Sequence, residues 1–93
     1  MAARGIADMI KVRLVGHIRT SVGADFIVLE ENQLDAEEIV ERARAMVKSG
    51  EPGFNRFNTL VVVEDGEAFV PSSVKRSVKD GESVVLIPFS HGG

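Results

Sequence analysis

The sequence predicts an α+β domain: a mixed sheet of about five strands with one main helix packed on one face. Three observations carry that expectation. Apolar and polar residues alternate near the start of the chain, a single middle segment switches to helical spacing, and glycine-containing turns separate the remaining apolar runs. One helix can cover only one face of one sheet, so the strands must share that sheet.

From Ile10 to Arg19 the side chains alternate, with Ile10, Val12, Leu14 and Ile18 on one side and Lys11, Arg13, His17 and Arg19 on the other. Period two with a polar reverse face reads as a half-covered strand. Thr20-Ser21-Val22-Gly23 supplies a link, and Asp25 to Glu30 is a second strand-like run, so the two read as a hairpin. The period then changes. Asp35 stands three residues before Glu38, the spacing of a capping box, and Leu34 and Ile39 are placed to act as a hydrophobic staple. Ala36, Ile39, Val40, Ala43, Met46 and Val47 fall at helical spacing, with Glu37, Glu41, Arg42, Arg44 and Lys48 on the other side. Gly50 and Pro52 provide a stop, so the helix is expected over Asp35 to Ser49.

Thr59-Leu60-Val61-Val62-Val63 is apolar enough to predict a strand buried on both sides or nearly so. Asp65-Gly66 turns the chain into a short strand over Glu67 to Val70. Pro71-Ser72-Ser73 breaks it and caps an expected single helical turn reaching Val78. After Asp80-Gly81, Ser83 to Pro88 is the last strand. The expected core comprises Ile10, Val12, Leu14, Ile39, Val40, Ala43, Val47, Leu60, Val62, Val84 and Leu86, with Phe26, Phe57 and Phe69 in it or at its margin and Phe54 in a glycine-rich loop. The first and last strands satisfy the pattern when they lie side by side and parallel in the middle of the sheet. That arrangement is the β-grasp, the fold of ubiquitin-like proteins. Residues 1–8 are expected to be a flexible extension, 9–88 the domain, and 89–93 a mobile tail.

The chain of 93 residues suits one modest core and leaves little room for an enclosed ligand cavity, which weighs against a self-contained enzyme. No catalytic residue and no metal ligand set is assigned: cysteine is absent, and the histidines, His17 and His91, lie far apart without carboxylates at ligand spacing. With 11 basic and 14 acidic residues and a net charge of -3, no basic face for nucleic acid is expected. No apolar run predicts a membrane span or a secretory signal, so a cytoplasmic protein, monomeric when isolated, is expected.

The sequence ends Pro88-Phe89-Ser90-His91-Gly92-Gly93. At average glycine usage, a terminal pair arises by chance about once in 200 chains. Without Cβ atoms, such a backbone enters a narrow cleft in conformations closed to other residues. A terminal carboxyl with a pKa of about 3.5 is ionised at neutral pH and can attack the α-phosphorus of ATP. The acyl-adenylate so formed is open to a sulfur nucleophile, which gives a thiocarboxylate or thioester, or to a lysine amine, which gives an isopeptide. The chemistry belongs to the partner, and this chain supplies the handle.

Asp80-Gly81-Glu82-Ser83-Val84, an apolar strand, Pro88 and the final Gly92-Gly93 together resemble the MoaD/ThiS sulfur-carrier and ubiquitin-like modifier superfamily over about residues 9–93. The His91-Gly92-Gly93 ending is most similar to the ubiquitin-related modifier of tRNA thiolation and to the small archaeal modifier proteins. The molybdopterin synthase small subunit typically carries two consecutive prolines and small residues where this chain has Ile87-Pro88-Phe89-Ser90-His91. The resemblance implies a β-grasp body and Gly93 as the carrier and conjugation residue, with Gly92, His91 and Phe89 recognised in the tail. The implied partners are an E1-like activating enzyme and either a sulfur-acceptor enzyme or lysines of target proteins. No permanently bound cofactor is implied, ATP being used by the activating partner. Two alternatives stand beside this reading: a molybdopterin synthase small subunit, and a non-covalent β-grasp interaction module whose glycines are incidental. His17 reads as a surface residue.

Overall fold

Alternation dictates the first strand, β1 (Ile10–Leu14), whose residues are buried and exposed in turn. The computed structural model describes residues 8–48 and 50–89. The expected strand does not continue to Arg19. Gly16 sits at a φ of +61°, outside the extended region, and a short helix α1 (Gly16–Val22) follows. Ile18 and Val22, four apart, both turn into the core from this helix. Gly23 closes it in the left-handed conformation, donating its N–H to the Arg19 carbonyl at 2.8 Å. His17 is exposed as expected, but on a helix rather than a strand.

The remaining elements are β2 (Phe26–Leu29), β3 (Gln33–Asp35), α2 (Ala36–Arg44), β4 (Thr59–Val63), β5 (Ala68–Phe69), β6 (Ser77–Lys79) and β7 (Ser83–Pro88). The main sheet runs β2-β1-β7-β4-β5, with β1 and β7 parallel at its centre and the other neighbours antiparallel. This is the β-grasp order the sequence predicts, on an α+β body. A second, two-stranded sheet pairs β3 with β6, matching Leu34 with Val78. The helical turn expected to reach Val78 is a single winding, in which the Ser73 and Val74 N–H groups donate to the Val70 carbonyl at 2.9 and 3.2 Å; β6 takes its end, because Leu34 and Val78, both buried, satisfy each other across strands.

The main helix is shorter than Asp35 to Ser49, and Asp35 belongs to β3. The expected capping box is not made. Asp35 Oδ1 accepts the Ser77 hydroxyl at 3.1 Å, while the Ala36 N–H donates to the Arg76 carbonyl at 2.9 Å. The neighbouring strand therefore satisfies the helix start in place of a side chain. At the far end the Met46 and Val47 N–H groups bond to Ala43 and Arg44 carbonyls, a tighter winding that ends the α-helix. Ala36, Ile39, Val40 and Ala43 form its buried stripe.

Ile10, Val12, Leu14, Ile39, Val40, Ala43, Val84 and Leu86 are all buried as expected, and Val47 packs against them half-buried. The phase of β4 is the reverse of the expected one. Thr59, Val61 and Val63 face the core, whereas Leu60 and Val62 are half-buried on the outer face. Every position from Leu60 to Val63 is apolar, so the pattern holds no phase, and one residue of slip exchanges the faces. Phe54, in its glycine-rich loop, plugs the core; Phe69 is buried, but Phe26 and Phe57 are exposed rather than marginal. Arg76 ties the β4–β5 turn down, its Nε donating to Glu67 Oε1 at 2.6 Å, a bond that raises the guanidinium pKa further.

Thr59 is the one buried polar side chain among the described residues whose oxygen has no hydrogen-bond partner. An orphaned buried hydroxyl costs about 1–3 kcal/mol. Thr59→Val keeps the shape and removes that oxygen, so its urea-unfolding midpoint is expected to rise by the equivalent of about 1 kcal/mol; a lowered midpoint would contradict this.

Candidate functional site

Because β1 and β7 run parallel, their ends lie together, and the chain leaves the sheet from its middle rather than from an edge. Pro88 closes β7 opposite Thr59, and the Phe89 N–H donates to the Asn58 carbonyl at 3.0 Å, which prolongs the ladder by one step. Of the residues expected to act in the tail, Phe89 is described and is 38% exposed. His91, Gly92 and Gly93 lie outside the described residues, as do most of the expected flexible extension and mobile tail.

Two local structures fix the root of the tail. On one side Gly16 meets Pro88 so closely that a Cβ added there would stand 2.9 Å from Pro88 Cγ, and its positive φ already disfavours a side chain. Gly16→Ala is therefore expected to destabilise the fold by about 1–2 kcal/mol from backbone strain alone. Displacement of Pro88 should add to it, and shifted amide resonances should cluster at Gly16, Pro88 and Phe89. Unchanged stability would show that the contact relaxes freely.

On the other side, residues 55–58 form a turn braced by its own amides. Asn55 Oδ1 accepts the N–H groups of Phe57 and Asn58 at 2.8 and 3.2 Å, and Asn58 Oδ1 accepts the Asn55 N–H at 2.7 Å. The turn holds Phe57 55% exposed with the Arg56 guanidinium 5.1 Å from its ring centroid. Of the nearby arginines, Arg19 is bridged to Asp25 and Arg56 to Glu37, and Arg13 is exposed. A shallow cleft of about 210 Å³ lies between Arg13, Gly16, Arg19 and Asp25.

The outer face of the sheet leads up to this exit. Val85 and Ile87 of β7 stand beside Val62 and Leu60 of β4, all half-buried, with Lys11 and Arg13 of β1 along the flank. These four side chains form an apolar strip with a basic flank. No protein-family model matches the chain, and no curated protein matches its sequence. Among the described residues no group of three His, Asp or Glu side chains is placed to hold a metal ion, and no helix is long and apolar enough to cross a membrane.

The setting of the tail root at Phe89 is not legible in the sequence. The sequence expectation puts Leu60 and Val62 in the core and Phe57 in the core or at its margin, which points to neither the outer strip nor the braced turn. The turn had a signal: two asparagines three apart around an aromatic residue are well suited to reciprocal side-chain-to-backbone bonds.

Proposed function

We propose that the protein is a ubiquitin-like carrier of the MoaD/ThiS type that works through its Gly93 carboxylate. The observation that supports this best is the exit of the chain from the centre of a β-grasp sheet, through Pro88 and Phe89, toward the terminal Gly92-Gly93. The carboxylate oxygen attacks the α-phosphorus of ATP held by an E1-like enzyme, and pyrophosphate leaves. A hydrosulfide-type nucleophile then displaces AMP to give a thiocarboxylate, or a lysine amine displaces it to give an isopeptide. Gly92 lets the strand thread the partner's cleft, and Phe89 and His91 are read by it. The strip formed by Leu60, Val62, Val85 and Ile87 gives the partner a grip on the body.

The thiocarboxylate goes to a sulfur-acceptor enzyme in tRNA thiolation or cofactor synthesis, and the conjugate forms on target lysines. A cytoplasmic setting supplies the ATP. The same strip also suits a non-covalent interaction module. One experiment separates the two: incubation with the cognate activating enzyme, ATP and a sulfur donor. The carrier gains the mass of a sulfur-for-oxygen exchange located on Gly93, and an unmodified terminus overturns the reading.

A further inference from the structure

Asn55 and Asn58 brace a turn whose middle residues, Arg56 and Phe57, are exposed, so the brace buries neither of them. What it holds still is a carbonyl. The Asn58 N–H turns back to Asn55 Oδ1 and to the Asn55 carbonyl, both at 3.2 Å, while Asn58 Oδ1 accepts the Asn55 N–H at 2.7 Å. With its N–H and its side chain both engaged, Asn58 has little freedom to swing its own carbonyl. That carbonyl is the acceptor to which the end of β7 is tied. Pro88 has no N–H to give, so the next donor along the strand is Phe89, whose N–H reaches the Asn58 carbonyl at 3.0 Å. Asn55 carries most of the brace: its Oδ1 holds the Phe57 and Asn58 N–H groups, whereas Asn58 Oδ1 holds one.

We propose that Asn55 is a positioning residue: by bracing residues 55–58 it fixes the point from which Ser90 to Gly93 start, and so sets where the Gly93 carboxylate arrives. The inference rests on the carrier reading and deepens it. Four residues follow Phe89, and fully extended they span at most about 14 Å. On so short a tether, a root displaced by a few ångströms loses a large share of its reach. Attack on phosphorus needs the carboxylate oxygen within about 3–3.5 Å, so the displacement is felt at the reacting atoms. A longer tether would absorb it. Gly16 pins the root from the other side through its contact with Pro88, but its positive φ ties that contact to the backbone itself. The Asn55 side chain can be altered without that strain.

Asn55→Ala removes the two bonds that Asn55 Oδ1 accepts, and Asn55→Asp keeps them. In the isolated protein the Phe89 amide should exchange about tenfold faster in Asn55→Ala, with Val84 to Leu86 unchanged and protection restored in Asn55→Asp. In ATP–pyrophosphate exchange with the cognate activating enzyme, Asn55→Ala should lower kcat about tenfold and change KM less than about twofold. Asn55→Asp should keep kcat, as should Phe57→Ala, which strips the exposed ring and none of the brace. Two glycines inserted between Phe89 and Ser90 keep the ending but loosen it from the root. The insertion should lower kcat several-fold, and Asn55→Ala should then add little. An unchanged Phe89 exchange rate in Asn55→Ala overturns the inference, because the brace then does not hold the root. So does a faster rate with undiminished kcat, or an equal loss in Phe57→Ala, which would mean that the partner reads the turn itself. An unaltered chain that fails the assay overturns the carrier reading, and this inference with it. Should Asn55→Ala fail to fold, the insertion decides, and a kcat indifferent to it means that the root positions nothing.

Discussion

Removing Gly92 and Gly93 is expected to abolish ATP–pyrophosphate exchange by the cognate activating enzyme. The truncated chain would still carry a terminal carboxylate, now on His91, but beside an imidazole side chain and set back along the tail. A cleft shaped for bare backbone excludes that side chain, and the carboxylate no longer reaches the α-phosphorus. Gly93→Ala tests the same point with a single methyl beside the reacting carbon and should impair the step severely. Adding one residue beyond Gly93 should abolish it unless a protease trims the product. His91→Ala lies outside the reacting group and should raise KM more than it lowers kcat, the pattern of lost uniform binding. Exchange that proceeds unchanged without the two glycines would remove the carrier reading and leave the non-covalent module.

The largest loss of stability is expected at Ile39→Ala. Ile39 is fully buried on α2, in the cluster that includes the inward residues of β1 and β7. Truncating it removes apolar contacts and leaves a cavity that close-packed neighbours refill poorly, at a cost of about 2–5 kcal/mol. That is a large share of the roughly 5–15 kcal/mol that holds a domain of this size folded. Urea unfolding should show a lower midpoint with an unchanged slope. A loss below about 1 kcal/mol would mean that α2 packs less tightly against the sheet than its burial implies.

The sheet order was legible because it follows from few constraints: one helix, apolar first and last strands, and two hairpins. The inner faces of β1 and β7 were legible because polar residues mark their reverse sides at Lys11, Arg13 and Ser83. Where a run is apolar throughout, as at Leu60 to Val63, only the tertiary partner chooses the face, and the expected one was wrong. α1 was hidden because Ile10, Val12, Leu14 and Ile18 fit one alternation, while Gly16 occupies the position where that alternation breaks. The spacing of Ile18 and Val22 was the opposing helical signal. β3 and β6 are too short for periodicity to register, and their pairing displaced the capping box by giving Asp35 and the helix start other partners. The root of the tail at Phe89 was not legible, because it depends on Gly16, Pro88 and the 55–58 turn, which meet only in three dimensions.

The central place of β7 also decides how the molecule bears load. A partner that grips the chain beyond Phe89 and pulls would drag β7 along its own axis, between β1 on one side and β4 on the other. Hydrogen bonds of both ladders would then be sheared together, whereas a hairpin at the rim would peel open one bond at a time. The chain beyond Phe89 is thus attached to the strand that resists extraction best, and a pull on it would load two ladders at once before the sheet unravelled.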